Sequence, residues 1–356
     1  MNTFAERTAS LQQALAEHRL DAYLIPSSDP HQSEYVAKRW QSRTWLSGFT
    51  GSAGTLVVTT KEAGLWTDSR YFLQAETQLA GTGITLQKQQ VPHAPEHIDW
   101  LARHLPSGSR LGFDGQVVSL AQARALENQL APKGIKLDGT HDLPGKLWKK
   151  RPERPRSPIL DYPASYAGQE RRDKLQRLRQ WLQDQQCQAL LLVALDDIAW
   201  TLNIRAADVD YNPVCLSYLI ITPEAAHWCV DAERVNKSLG KALEKDGVQV
   251  HEYAEVAQQL LALPANASLA IDPSTISYQL HEQLRHRSLV ELPSPVQGMK
   301  ALKNATEIGH LRQAMRKDGV ALVRLFRWLE DTLKTQGVTE VEVAERLDAF
   351  RREQEG

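Results

Sequence analysis

The chain has 356 residues, of which 42% are hydrophobic and 24% are charged, a balance typical of a soluble globular protein. Lysine and arginine together number 42 and aspartate and glutamate 43, so the formal net charge is −1. This near neutrality argues against nucleic acid or an anionic membrane as a partner. The length exceeds that of one ordinary domain and predicts two or three.

The cysteines and the N-terminus bear on the cellular compartment. Cys187, Cys215 and Cys229 are odd in number and show no C-x-x-C spacing, which favours buried thiols in a reducing environment. The opening residues, MNTFAERTASLQQ, lack the apolar segment of a signal peptide, and no later run approaches a membrane span. We therefore expect a cytoplasmic protein.

The first predicted elements are a helix over residues 4–18 and a short strand over Ala22–Ile25, which Pro26 ends. The stretch from Thr44 to Ala75 then carries the most distinctive pattern in the chain. Its first part places glycines at intervals of three, at Gly48, Gly51 and Gly54.

These glycines invite comparison with a phosphate-binding loop. Such a loop is followed by a helix N-terminus, whereas here an apolar run, Leu56 to Val58, predicts a strand. A turn over Lys61–Gly64 and a second run at Leu65-Trp66 complete a predicted β-hairpin. We therefore expect the glycines to serve close backbone packing rather than phosphate binding.

Beyond the hairpin, helices and short strands alternate. The predicted elements are a helix over 72–79, a strand over 85–87, a helix over 98–105, a strand over 111–113 and an amphipathic helix over 120–130. This mixture predicts an α/β fold in which a mixed sheet is covered by helices.

The composition changes in the segment KKRPERPRSPILDY, between Trp148 and Tyr162. Three prolines and a basic run cannot form a helix or a central strand, so the segment predicts a domain boundary. We interpret residues 151–158 as a solvated linker.

The order of elements before the linker recurs after it. A predicted helix over 169–185 leads to a strand over 189–194, then to Trp200, a loop and two strands over 216–222 and 227–231. This order predicts two sheets of the same topology. The second copy lacks the glycine loop and the cluster of Asp68 and Arg70, so we expect the two copies to differ in function.

The pattern changes again at Ala305, where a long helix is predicted to run to Lys334. Its broad apolar face comprises Ile308, Leu311, Met315, Leu322, Leu325, Phe326, Leu329 and Leu333. Thr339 and Glu342 form a predicted capping box at the start of one more helix. We expect the apolar face to need a cover, and hence self-association as a homo-oligomer or docking on the second domain.

Histidines and carboxylates give no catalytic or metal-binding pattern. His93 and His97 are separated by a proline, and the two histidines of HEQLRH are five apart, so neither pair forms a zinc-binding helix face. Asp196 and Asp197 are typical of a helix N-cap, and Asp208 and Asp210 of a solvated loop. We assign no catalytic residue and no metal ligand to these 356 residues.

Three motifs carry a family resemblance: PSSDPHQSEY (26–35), FTGSAGTLVVT (49–59) and LWTDSRYFLQA (65–75). In this order they resemble the N-terminal domain of the long, three-domain aminopeptidase P, an Xaa-Pro aminopeptidase of the creatinase and prolidase family. The resemblance extends through RPERP (151–155), ALDDIAW (194–200) and the C-terminal segment. It therefore covers essentially the whole chain.

The resemblance implies a division into four parts. Residues 1–150 and 159–303 would be creatinase-type domains I and II, residues 151–158 the linker, and residues 304–356 the opening helices of a pita-bread catalytic domain. In the family, that catalytic domain holds two divalent metal ions, commonly manganese, with two Asp, one His and two Glu. All five ligands would follow residue 356, so we expect this chain alone to be inactive and to bind no metal.

Arg70 is the residue that the resemblance singles out. On sequence alone, an arginine beside Asp68 at the end of a strand favours a surface ion pair. The matching arginine of the family reaches the substrate in the catalytic cleft, and a guanidinium fork suits a peptide carbonyl or carboxylate. We therefore predict that Arg70 binds substrate.

The sequence thus predicts the N-terminal part of a cytoplasmic metallopeptidase that removes the residue preceding proline from peptides with proline at the second position. A non-catalytic peptide- or protein-binding module of the same architecture is one alternative. A prolidase-type dipeptidase is another, although it would have one N-terminal domain instead of two.

Overall fold

The computed structural model of the protein describes residues 3–91 and 94–355. By its contacts the chain divides into two compact units. The first comprises the chain up to Asp161 together with Arg171–Gly298, and the second comprises Tyr162–Glu170 and the chain from Met299 onward. The boundaries predicted at residues 150, 158 and 303 stay predictions.

The first unit contains two six-stranded sheets, and the first sheet comes from the N-terminal copy. Its strands are β1 Ala22–Ile25, β2 Thr55–Thr59, β3 Ala63–Thr67, β4 Ile84–Lys88, β5 Arg110–Phe113 and β6 Lys136–Asp138, in the spatial order β4-β3-β2-β1-β5-β6. The β1–β2 and β2–β3 pairs are antiparallel, and the others are parallel. The predicted α/β class and the hairpin are confirmed.

Helices cover both faces of this sheet. They are α1 Phe4–Glu17, α2 Ser42–Ser47, α3 Phe72–Leu79, α4 Glu96–His104, α5 Leu120–Leu130 and α6 Leu143–Leu147. Successive residues of β2 alternate between two cores, because side chains along a strand point to opposite faces. Leu56 and Val58 pack with α1 and α3, whereas Val57 packs with α4 and α5.

The second sheet repeats the first. Its strands are β8 Ala189–Leu192, β10 Ser217–Ile221, β11 Ala226–Val230, β12 Val248–Glu252, β13 Ser268–Ile271 and β14 Ser288–Glu291, in the spatial order β12-β11-β10-β8-β13-β14. Two short strands, β7 Leu160–Asp161 and β9 Ile204–Arg205, pair separately. Each pair of strands has the same direction as its counterpart in the first sheet, so the predicted duplication is confirmed.

The remaining helices are α7 Ala164–Ala167, α8 Arg171–Asp184, α9 Leu195–Leu202, α10 Lys237–Lys245, α11 Val256–Ala262, α12 Tyr278–Leu284, α13 Pro295–Ala301, α14 Ala305–Thr332 and α15 Glu340–Arg352. The helices predicted to begin at Ala305 and after Thr339 are both present, and each starts with a complete capping box. Among the residues that the structure describes, no helix is long and apolar enough to cross a membrane.

The two copies join through matching turns. Ser119 and Ser277, the N-caps of α5 and α12, form an antiparallel bridge. Four backbone hydrogen bonds surround it with local two-fold symmetry: Leu120 N to Ile276 O, Tyr278 N to Val118 O, Ala121 N to Pro273 O and Gln279 N to Gly115 O, all between 2.8 and 2.9 Å. The two copies therefore contact each other through the same turn of each copy.

A buried histidine adds to this junction. His31, in the loop after β1, places Nδ1 3.0 Å from the Val193 carbonyl oxygen and Nε2 2.8 Å from the Tyr253 hydroxyl, both in the second copy. Burial lowers the pKa of His31, since an imidazolium would lose solvation there. A neutral ring can donate to the carbonyl and accept from the tyrosine at the same time.

The interpretation of residues 151–158 as a solvated linker stays a prediction; half of these residues are exposed, but several of their polar groups are fixed. Arg151 pairs with Asp142 and donates to the Arg39 carbonyl, and Arg156 pairs with Asp231 and Glu233. The segment follows an extended path, as its prolines require, but it is bound to the surface along that path.

In the second unit, α14 exposes much of its apolar face. The exposed residues include Ile308, Leu311, Met315, Val320, Val323, Phe326 and Leu333. Ala321 and Leu325 are buried on the same helix. The need for a cover over the exposed residues stays a prediction.

Candidate functional site

The glycine-rich stretch forms a tight loop between α2 and β2. Gly48 ends α2 in the left-handed conformation, with φ 76°. At Gly51 an added Cβ would overlap the Phe49 ring and lie 2.7 Å from Tyr71. Glycine is needed at both positions, for its conformation at the first and its size at the second. The predicted role in close backbone packing is confirmed.

Arg43 is hydrogen-bonded to this loop. The sequence alone did not indicate this role. Its side chain is buried and donates to the Ser27 hydroxyl at 2.7 Å and to the carbonyl oxygens of Phe49 and Gly51. These partners are neutral, and burial lowers the pKa of Arg43 to about 10. The residue therefore braces the loop by hydrogen bonds instead of by an ion pair.

Arg70 lies in a short 3₁₀ turn directly after β3. Asp68 caps the turn by accepting from the Arg70 backbone at 3.1 Å. The same carboxylate accepts from Arg70 Nε at 2.9 Å and from Nη2 at 2.8 Å. The Arg70 side chain is nevertheless 62% exposed, whereas that of Asp68 is 17% exposed. The carboxylate bonds raise the pKa of Arg70.

Neighbouring contacts fix the direction of this turn. The Tyr71 ring packs edge-on against Phe49, at 5.9 Å between centroids, and its hydroxyl lies 2.7 Å from Ser52 Oγ. The Arg70 guanidinium lies 5.3 Å from the centre of the Tyr71 ring. The glycine loop and Arg70 thus form one exposed edge of the first copy. Asp68 accepts from Nε and Nη2, so a peptide carbonyl or carboxylate would bind the remaining N–H donors at the edge of the guanidinium.

The second copy has a 3₁₀ turn at the equivalent place, after β11. Its N-cap, Asp231, matches Asp68, but Glu233 stands where the first copy has Arg70, so the second copy lacks the Asp68–Arg70 cluster, as expected. The turn does end in an arginine, Arg234, but this residue turns inward to Asp208, whereas Asp231 pairs with Arg156.

Asp208 is not a solvated loop residue, and that prediction is wrong. Its side chain is fully buried and forms two hydrogen bonds with Arg234, at 2.8 and 2.9 Å. It also accepts from the Ser157 hydroxyl and from the Leu216 backbone. A buried carboxylate is tolerated because every one of these donors compensates its charge. Asp210 is exposed, as predicted.

Asp196 and Asp197 are not N-caps. They lie in the first turn of α9, and the N-cap position belongs to Ala194. Asp197 is buried and accepts from the Ser294 hydroxyl at 2.5 Å. Its role is therefore in packing α9 against the segment that follows β14.

The histidines set aside in the sequence are also separate in space. His281 is on α12, whereas His286 follows the end of that helix. His97 is half-buried with its ring beside that of Trp66, and His93 lies outside the described residues. Within residues 3–91 and 94–355, no group of three or more His, Cys, Asp or Glu could hold a metal ion. These residues do not fit a two-metal centre.

Comparison with known proteins agrees with this duplicated architecture. Residues 7–143 match a family described as the creatinase/prolidase N-terminal domain, and residues 150–307 match a second family with the same description. A crystal structure of X-prolyl aminopeptidase from Caenorhabditis elegans, described as a cytosolic enzyme with a di-nuclear active site, superposes with a TM-score of 0.90. The two are 32% identical, over 99% of this chain and 60% of that one.

Curated relatives give the same result. A Probable Xaa-Pro aminopeptidase P from Laccaria bicolor is 34% identical over 98% of this chain and 55% of its own length. Aminopeptidase P2 of Arabidopsis thaliana is 34% identical over 99% of this chain and 54% of its own length. The chain thus spans a little over half the length of these two relatives.

The fold and the two family matches define a protein with two successive creatinase/prolidase N-terminal domains. The similarity to aminopeptidase P sequences extends over essentially the whole chain, which places it more narrowly within this class. The chain belongs to the aminopeptidase P family.

Proposed function

We propose that this chain forms the two N-terminal domains of a metal-dependent Xaa-Pro aminopeptidase. The intact enzyme removes the N-terminal residue that precedes proline, and it acts in the cytosol. It uses two divalent metal ions, which we expect to be manganese. The observation that carries the proposal is the 0.90 TM-score over 99% of this chain to a cytosolic X-prolyl aminopeptidase with a di-nuclear active site. The described residues do not fit that metal centre, so no catalytic step is assigned to them.

The role of Arg70 in this proposal is to bind the peptide. Its guanidinium is exposed, is oriented by Asp68 and projects from an edge that the glycine loop makes rigid. A fork held in this way can meet a substrate carbonyl or carboxylate with little loss of conformational freedom on binding. The metal ions supply the hydrolytic chemistry, and Arg70 aligns the peptide.

The test compares two proteins. The complete open reading frame that contains this chain, expressed and supplied with Mn²⁺, is expected to release arginine from Arg-Pro-Pro but not from Arg-Ala-Ala. The 356-residue chain alone is expected to show no turnover and no stoichiometric metal after dialysis. Turnover by the chain alone would overturn the proposal that the catalytic metal centre lies outside this chain. Lack of turnover by the protein from the complete open reading frame would favour a non-catalytic binding module.

A further inference from the structure

A cleft between the two copies lies beside the glycine loop. It has a volume of about 260 Å³ and is bounded by Glu34, Tyr35, Ser52, Asp210 and Tyr211, among other residues. We call it the tyrosine cleft. Ser52 belongs to its wall and also contacts Tyr71, the neighbour of Arg70. The cleft therefore continues the edge on which Arg70 lies.

Two tyrosines form the aromatic part of the cleft. Tyr35 is 47% exposed and Tyr211 is 96% exposed, which is unusual for large aromatic side chains. Their ring centroids are 6.3 Å apart and the rings are inclined at 63°, an edge-to-face arrangement in which neither ring covers both faces of the other. The face of a tyrosine ring attracts cations.

Two carboxylates form its charged part. Glu34 precedes Tyr35 in the chain, Asp210 precedes Tyr211, and both acids are exposed. Neither has a hydrogen-bond or ion-pair partner in the part of the chain that the structure describes. Arg43, the cation in the wall, is buried and donates to three neutral oxygens, so it pairs with neither acid. Its charge is still present, and the two carboxylates therefore leave the lining with one excess negative charge.

The combination of open aromatic faces with unpaired carboxylates selects a particular ligand. A lysine or arginine side chain can stack its cationic group on the rings and pair with the acids, whereas an acidic side chain would be repelled. The apolar stem of such a side chain would also lie against the tyrosines.

We propose that the tyrosine cleft is a binding subsite for a basic side chain of the peptide. The inference rests on the proposed function, because it extends the peptide-binding edge from Arg70 toward the second copy. It names a substrate class: peptides that carry lysine or arginine on the C-terminal side of the proline.

The test uses the 356-residue chain itself, since the cleft lies wholly within it. The probes are three fluorescein-labelled peptides, Ala-Pro-Gly-Xaa-Gly-Xaa-Gly, with lysine, norleucine or glutamate at Xaa. Fluorescence polarisation at low salt is expected to give at least tenfold tighter binding of the lysine peptide than of the norleucine peptide. The glutamate peptide should bind most weakly. Equal binding of the lysine and norleucine peptides would overturn the proposal.

Substitutions in the tyrosine cleft test whether the peptide binds there. Tyr211→Leu and Asp210→Asn should each weaken the lysine peptide several-fold without changing the norleucine peptide, and Tyr211→Phe should retain most of the binding. Tyr166→Leu and Glu244→Gln, which change an exposed tyrosine and an exposed carboxylate elsewhere, serve as matched controls and should have no effect. Equal losses in the cleft variants and the controls would instead mean nonspecific attraction.

These binding measurements are independent of catalysis. The protein from the complete open reading frame could fail to cleave Arg-Pro-Pro while the 356-residue chain still binds the lysine peptide more tightly than the norleucine peptide. In that case the proposed subsite is supported and the enzymatic proposal fails. If cleavage occurs but lysine gives no advantage in binding, the subsite fails alone.

Discussion

Arg70 and Arg234 occupy the same kind of turn in two copies of one fold, yet their surroundings are opposite. Each lies in a 3₁₀ turn after the third strand of its sheet, β3 or β11. The Arg70 side chain is 62% exposed and pairs with Asp68 two residues away. The Arg234 side chain is 6% exposed and pairs with Asp208, which is fully buried.

This difference shows what each arginine can contribute. Arg234 neutralises a carboxylate that has no access to water, so its removal would leave an uncompensated buried charge. Arg70 makes an exposed pair, which contributes little to stability, and its guanidinium has further N–H donors for a ligand. The same turn thus supports the fold in the second copy and offers a binding group in the first.

The largest effect that tests this comparison is expected for Arg234→Ala. Because Asp208 would stay buried without its partner, the free energy of unfolding should fall by about 3–5 kcal/mol. Urea denaturation followed by circular dichroism measures it. Arg70→Ala is the matched control and should leave the urea midpoint unchanged.

A second variant keeps this prediction testable if Arg234→Ala fails to fold. The double change Asp208→Asn with Arg234→Met removes both charges and should be more stable than Arg234→Ala. If Arg234→Ala and Arg70→Ala unfold at the same urea concentration, the contrast between the two arginines is wrong.

The sequence predicted the first of these turns better than the second, for physical reasons. The hairpin around Arg70 is local: the apolar runs, the turn residues and the cap Asp68 lie within fifteen positions. The partners of Asp208 are Arg234 and Ser157, 26 and 51 residues away, and nothing in the nearby sequence indicates them. The contact of His31 with Val193 spans 162 residues and was missed in the same way.

Element boundaries show the same limit. Helices α3 and α5 begin and end where the sequence predicted, because apolar residues mark the buried face of each. Helix α5 also starts with a capping box, whereas α3 has no side-chain cap. No elements were predicted between residues 232 and 304. There, β12 and β14 are edge strands with few buried residues, so their apolar pattern is weak. The amphipathic helix α10, with Asn236 as its N-cap, was a signal that could have been used.

The next effect concerns activity and sharpens the role of Arg70. In the complete enzyme, Arg70→Ala should lower kcat/KM for Arg-Pro-Pro roughly ten- to a hundred-fold, since a charge-assisted hydrogen bond to the peptide is lost. Arg70→Lys should recover little of it, because an ammonium lacks the planar fork. If Arg70→Ala unfolds the protein and the folded fraction keeps full activity, the arginine is structural.

A smaller effect depends on pH, because the first copy carries a half-buried histidine in α4 whose pKa is lowered. Burial lowers the pKa of His97 to about 4, and its Nδ1 has no hydrogen-bond partner among the described residues. The unfolded chain therefore binds a proton more readily than the folded one below about pH 6.5. The contribution of His97 to the free energy of unfolding, which is fully present above this pH, should fall by about 2 kcal/mol between pH 7 and pH 5. The raised pKa of Asp114, about 7, acts in the opposite direction on the whole protein, so the comparison between variants carries the test.

The measurement is urea denaturation at both pH values. His97→Phe should lose less stability on acidification than the unchanged protein, whereas His104→Phe, an exposed position on the same helix, should lose as much. His31 also has a lowered pKa, so part of the loss will remain in both variants. An identical loss in His97→Phe and the unchanged protein would assign the acid sensitivity elsewhere.

The smallest effect is expected at Asp68, which both caps the turn and orients Arg70. Asp68→Ala removes the bond to the Arg70 backbone, so the free energy of unfolding should fall by about 1 kcal/mol, as for the loss of a helix cap. It also frees the Arg70 side chain from two bonds, and kcat/KM should drop less than in Arg70→Ala because the guanidinium is still present. Asp68→Asn keeps an oxygen for the cap but loses the charge, so it should retain stability while lowering kcat/KM. A drop in stability without any change in kcat/KM would show that the orientation of Arg70 is irrelevant to the peptide, and the difference between the two copies would then lie in burial alone.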